Sequence, residues 1–144
     1  MRRELAALVG EIPALSGLAP ADLYAFVEAC REWHVRPGEV VIQEGSRDRD
    51  VILVLRGALE VRRGGERLAE LGPGAIVGLL APLLGTARTA TVVASARSQL
   101  AVLQASSLQL LTLSHAPLGV VLQSAMLAQL LDDFVGVQRA WGEA

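Results

Sequence analysis

The stretch VILVLRGALEVRRGGERLAELGPG, residues 51–74, decides the fold. Its first part, VILVLR (51–56), is β-branched and apolar and predicts a strand. Gly57 makes a tight connection into ALEVRR (58–63), a second strand with apolar and polar residues alternating. Gly64-Gly65 is a strong hairpin signal, ERLAEL (66–71) pairs back, and GPG (72–74) turns the chain again. Short strands separated by glycine turns predict an all-β barrel or roll.

The flanks extend this pattern. Upstream, Pro37-Gly38 is a turn, VVIQ (40–43) a short β-branched strand ended by Gly45, and SRDRD (46–50) a polar, solvated loop. Downstream, TATVVA (89–94) and QLAVLQ (99–104) predict two more strands. Residues 3–10 read as a helix, with Leu5, Leu8 and Val9 on one side. A second helix opens at Ala19-Pro20, with Pro20 suited to the first turn and Leu18, Leu23, Phe26, Val27 and Cys30 on its buried face. The chain after Ala105 reads as helices to about Trp141, broken near His115-Ala116-Pro117.

The expected class is α+β, mainly β: a β-roll or jelly roll of short antiparallel strands flanked by N-terminal and C-terminal helices. One domain over residues 1–144 is expected, with helices at about 3–31, the roll at about 33–104 and C-terminal helices at about 105–141.

Composition narrows the function. Hydrophobic residues make up 52%, so the chain can bury a core, and with 3% aromatics that core must be Leu, Val and Ala. A formal net charge of −2 gives no electrostatic reason to bind nucleic acid or anionic lipid. Ser98 to Leu131 carries no formal charge, but Gln, Ser, His and Pro interrupt it, and no apolar run of membrane-spanning length exists. The N-terminus has no signal-peptide pattern, and the single Cys30 forbids an intramolecular disulfide, which suits a cytoplasmic protein. His34 and His115 lack ligand spacing, so no metal is expected. Cys30 reads as core, Asp132-Asp133 as solvated, and no catalytic triad or acid–base pair is present, so the chain is not read as an enzyme.

One charge, Arg88, stands in IVGLLAPLLGTARTATVVA (76–94). A guanidinium offers five donors in a planar fork that fits two phosphate oxygens. The Gly78-to-Leu84 turn would aim free backbone N–H groups at an anion, and Gly78 permits close backbone approach. From the residues alone, Arg88 is either a solvated arginine at a strand start or the anchor of an anion site.

IPALSGLAPADL, PGEVVIQEG (37–45), VILVLRGALEV (51–61) and GPGAIVGLLAPLLGTARTATVVA (72–94), in this order, resemble the cyclic nucleotide-binding domain of the catabolite activator protein and of protein kinase A regulatory subunits. The resemblance spans Ile12 to about Arg139. It implies a regulatory ligand-sensing module. The phosphate would dock on Gly78, Leu79 and Leu80 backbone N–H groups, on Arg88, which corresponds to the arginine that grips the cyclic phosphate, and on the Thr89 hydroxyl. The implied ligand is cAMP, cGMP or a cyclic dinucleotide. Ala87 precedes Arg88 where the family places Pro, and Leu79 stands where it places a glutamate that accepts from the ribose 2′-hydroxyl. A ligand hydroxyl buried against leucine costs about 1–3 kcal/mol, or roughly one to two decades of affinity. Leu79 therefore keeps a second reading open: a degenerate member that binds no nucleotide and serves as a protein-interaction or dimerisation scaffold.

Leu127, Leu130, Phe134, Val137 and Trp141 recur at alternating spacings of three and four, an a/d seam. In the family the corresponding helix caps the pocket and forms the dimer interface. Gly136 weakens this helix by about 1 kcal/mol relative to Ala. With no room for a helix-turn-helix before Ala144, the sequence is read as a stand-alone module without direct DNA binding, acting through an unidentified protein effector or a homodimer.

Overall fold

The structure is a computed structural model, and it describes residues 2–12, 15, 18–78, 87–114, 117, 120, 121, 124 and 127. Two helices lead: α1, Arg2–Gly10, and α2, Pro20–Ala29. Eight strands follow: β1 Arg31–Val35, β2 Val40–Ile42, β3 Val51–Arg56, β4 Leu59–Arg63, β5 Glu66–Leu71, β6 Ile76–Val77, β7 Thr91–Ala94 and β8 Ser98–Leu103. Helix α3, Ala105–Ser114, comes next, and Pro117, Val120, Val121, Ser124 and Leu127 are helical beyond it.

The strands form two four-stranded antiparallel sheets, ordered β1-β8-β3-β6 and β2-β7-β4-β5. This is the antiparallel roll with flanking helices expected from the sequence. The Gly64-Gly65 hairpin closes with both glycines at positive φ, 58° and 82°. A type I′ turn requires that backbone at both central positions, and its twist matches the strands it joins.

Strand β3 explains why an uninterrupted apolar run can be a strand. Val51, Leu53 and Leu55 face the helices, where they pack with Leu5, Val9, Phe26, Val27, Cys30 and Leu108. Ile52 and Val54 face the inside of the roll, with Val35, Ile42, Leu59, Val92 and Leu100. Period-two alternation therefore fills two cores from one strand. In β8, Ala101 and Leu103 face the helical side, and Leu100 and Val102 the roll.

Two boundaries differ from expectation. Helix α2 ends at Ala29, and Cys30 is already extended (φ −84°, ψ 147°), so the segment read as the end of the helix is strand β1. Its partner is β8: Arg31 lies opposite Val102, Glu32 opposite Ala101 and Trp33 opposite Leu100. This ladder, formed with a segment some seventy residues away, overrides local helical preference. The two-residue strand β6 was not expected; it pairs Ile76 with Leu53 and Val77 with Ile52. Cys30 is buried, as expected of a core cysteine, although it lies just past the end of α2. Among the described residues no helix is long and apolar enough to cross a membrane.

Candidate anion site

Arg88 sits just before β7, where the chain enters the second sheet. Its backbone clasps the loop between β2 and β3. Gly45 N–H donates to the Arg88 carbonyl, and Arg88 N–H donates to the Ser46 carbonyl, both at 2.8 Å. Thr91 tightens the same contact, its hydroxyl oxygen accepting from Glu44 N–H at 3.1 Å. The segment 46–50, read from sequence as a polar, solvated loop, is exposed at Arg47, Asp48 and Arg49, and it is also tied to Arg88.

Arg88 is buried, with the whole residue 6% exposed. A cation that deep in a fold needs partners, because an unpaired buried charge costs several kcal/mol. Arg88 has four. Its Nη2 donates to Asp48 Oδ1 at 2.8 Å and to the Asp50 carbonyl at 2.5 Å. Nε donates to Asp48 Oδ2 at 3.4 Å, and Nη1 donates to the Gly78 carbonyl at 3.1 Å. Asp48 is held in turn by Asp50 N–H at 3.0 Å and by the Ser46 hydroxyl at 3.2 Å. Burial raises the Asp48 pKa, but the hydrogen bonds from Arg88, Asp50 and Ser46 and the Arg88 charge outweigh it and hold the carboxyl below its ordinary value.

Gly78 completes this arrangement. Its φ is 89°, and a Cβ there would lie 2.7 Å from Arg88 Nη1 and 2.8 Å from the Asp50 carbonyl. Glycine is needed for the backbone conformation and for room beside the guanidinium. The close approach expected at Gly78 is therefore made by Arg88 itself.

Of the residues expected to bind ligand, the structure brings Gly78 and Arg88 into contact, and Thr89 adjoins Arg88 in the chain. Leu79 and Leu80 lie outside the described residues, as do Leu130, Phe134, Val137 and Trp141 of the expected seam; Leu127 is exposed. His115, Asp132 and Asp133 are likewise outside them. Thr89 is exposed, and its carbonyl accepts from Arg63 Nε at 3.1 Å. Among the described residues no group of three or more His, Cys, Asp or Glu could hold a metal ion.

Sequence reading missed Asp48, Asp50 and Arg63. Ser46-x-Asp48-x-Asp50 was the available signal for the first two, since Asp side chains cap nearby backbone N–H groups in ordered turns. Nothing in the sequence marks Arg63.

Chemically, Arg88 is a buried guanidinium whose main ionic partner is an aspartate on its own chain. The Arg88–Asp48 pair is bidentate, the geometry an arginine gives to two phosphate oxygens. The family model for the cyclic nucleotide-binding domain matches residues 32–115, which include this site. The chain belongs to the cyclic nucleotide-binding domain family. The resemblance read from the sequence is borne out.

Relatives agree with this assignment. The chain is 37% identical over 98 residues to the cGMP-dependent protein kinase egl-4 of Caenorhabditis elegans, which covers 68% of this chain and 13% of the kinase. It is 31% identical over 120 residues to the cyclic nucleotide-gated potassium channel mll3241 of Mesorhizobium japonicum, covering 83% of this chain and 33% of the channel. The chain thus spans a minor part of the curated relatives it matches. The Thermus thermophilus catabolite activator protein superposes with a TM-score of 0.77 at 25% identity, covering 90% of this chain and 63% of that one.

Proposed function

We propose that this cyclic nucleotide-binding domain is a cytoplasmic regulatory sensor that takes the phosphate of a cyclic nucleotide, or of a related anionic nucleotide, on Arg88. One observation carries the reading: Arg88 is buried with its fork already shaped around a carboxylate. A phosphate bound there exchanges one anion for another at the same guanidinium. Asp48 is the exchangeable partner because its side chain is 42% exposed while that of Arg88 is 5% exposed. The backbone N–H groups of Gly78, Leu79 and Leu80 and the Thr89 hydroxyl supply the remaining donors.

The output is assigned to the C-terminal helical segment. Leu110, Leu113, Val120 and Leu127 are each more than half exposed. With Pro117 and Ser124 they follow alternating spacings of three and four, within the uncharged stretch Ser98–Leu131. Exposed leucines in an uncharged row support a partner surface, a protein effector or a second copy, whose engagement ligand binding biases.

Calorimetry with cAMP, cGMP and a cyclic dinucleotide tests the site. The wild type gives binding heat, Arg88→Gln loses at least tenfold in affinity, and Leu79→Glu tightens the cyclic mononucleotides. No heat at millimolar ligand in wild type and Leu79→Glu alike overturns the proposal. It would leave the second reading, an interaction scaffold without nucleotide in which the Arg88–Asp48 pair is purely structural.

A further inference from the structure

Three arginines lie on the β4–β5 hairpin, and they are not equivalent. Arg62 pairs with Glu60 at 2.9 Å. Arg67 pairs with Glu70 at 2.5 Å and reaches Glu60 at 3.5 Å. Arg63 pairs with no carboxylate among the described residues, although Glu66 stands opposite it in the ladder. It turns instead toward the anion site and donates Nε to the Thr89 carbonyl, one residue from Arg88.

The strand register explains the direction. Leu59 and Val61 lie opposite Ala94 and Val92, and all four belong to the inside of the roll. Arg62 lies opposite Thr91, so Arg63 falls on the same face as Leu59 and Val61 at the exposed end of the strand, where it meets the Thr89 carbonyl. The Nε bond fixes the plane of the guanidinium and leaves both Nη groups without partners among the described residues. The Arg88 charge is met by Asp48, so beside Thr89 the unneutralised cation is Arg63.

We propose that Arg63 is a specificity-determining residue of this site: a second guanidinium that grips a pair of acceptor atoms on the bound nucleotide, beyond the phosphodiester held by Arg88. This rests on the proposed nucleotide reading of the site and adds to it. Two sources present such an acceptor pair. One is the two free oxygens of a second phosphate; the other is O6 and N7 of guanine, which take an arginine fork where adenine presents a donor beside N7. Leu79 is consistent with the first, because it removes a carboxylate that would repel a second phosphate.

Isothermal titration of wild type, Arg63→Ala and Arg63→Lys with cAMP, cGMP and cyclic di-AMP tests the assignment. Cyclic di-AMP adds a second phosphate, carried with a second adenosine on a larger ring, and cGMP changes only the base. The wild type prefers cyclic di-AMP or cGMP over cAMP. Arg63→Ala weakens the preferred ligand about tenfold more than cAMP, and Arg63→Lys, which keeps the charge without the fork, falls between. Equal weakening of all three ligands would make Arg63 a purely structural tie to Thr89 and overturn the inference while leaving the nucleotide reading intact. Absence of binding by all three, in a wild type that is folded by circular dichroism, removes both.

Discussion

Asp48→Asn separates what holds the site together from what the site is for. The substitution keeps the shape of the side chain and an acceptor oxygen but removes the charge opposite Arg88. Arg88 then keeps the carbonyls of Asp50 and Gly78 and loses its only ionic partner among the described residues. Breaking a fully buried ion pair costs about 3–5 kcal/mol, and hydrogen bonds to charged groups contribute about 1.5–3 kcal/mol. Here the Asp48 side chain is 42% exposed, so water screens the pair and the lower part of that range applies, about 2 kcal/mol. With a urea m value of about 1.5 kcal/mol/M, the midpoint falls by roughly 1.3 M. The nucleotide response moves the other way. Asp48 no longer competes for the guanidinium, so cAMP or cGMP affinity rises, and ligand recovers more stability in the variant than in the wild type. Urea titrations with and without ligand read both effects. A midpoint within about 0.3 M of wild type, together with unchanged affinity, would refute the account of Arg88 as a cation held by an exchangeable carboxylate.

The remaining predictions follow the same geometry. Because the Asp48 pKa is lowered in the fold, its stabilising contribution is fully present above the ordinary value of 3.8 and lost as pH falls through the lower folded value; urea midpoints between pH 6 and pH 2.5 should therefore fall more steeply for wild type than for Asp48→Asn. Gly78→Ala meets a left-handed backbone and a guanidinium 2.7 Å from the new Cβ, and should cost about 2–4 kcal/mol, read as a drop in Tm. Gly38→Ala, at φ 90° with nothing within 4 Å, should cost only the conformational part, about 1–2 kcal/mol. Leu53→Ala, in a side chain with 0% exposure, should lose about 3 kcal/mol in urea denaturation with an unchanged m value.

What was legible in the sequence was local. Residues 51–71 show an apolar β-branched run, an alternating segment at 58–63 and a Gly-Gly turn whose backbone demands nothing from distant residues, and the three strands form where read. The change from helix to strand at Cys30 was misplaced because Arg31-Glu32-Trp33 is compatible with either state, and the ladder with residues 98–102 decides it. Arg88 was legible as the one charge in an apolar run, and family resemblance gave it a role. Its partner was not, because Asp48 lies forty positions earlier in a loop whose composition suggests solvent. Gly78 was legible as a glycine needed for close approach, but only the fold shows that the approaching group is the arginine.

Strand β3 is a party wall. The same backbone carries side chains into the helical layer on one face and into the roll on the other, and its first residue, Val51, follows directly on Asp50, whose carbonyl holds Arg88. A wall one residue thick cannot yield on one side only. A change in helix packing against Val51 shifts that carbonyl, and filling the site pushes back along the same peptide. Substitutions in the helical layer should therefore alter anion affinity without touching the anion, and the two cores cannot be tuned separately.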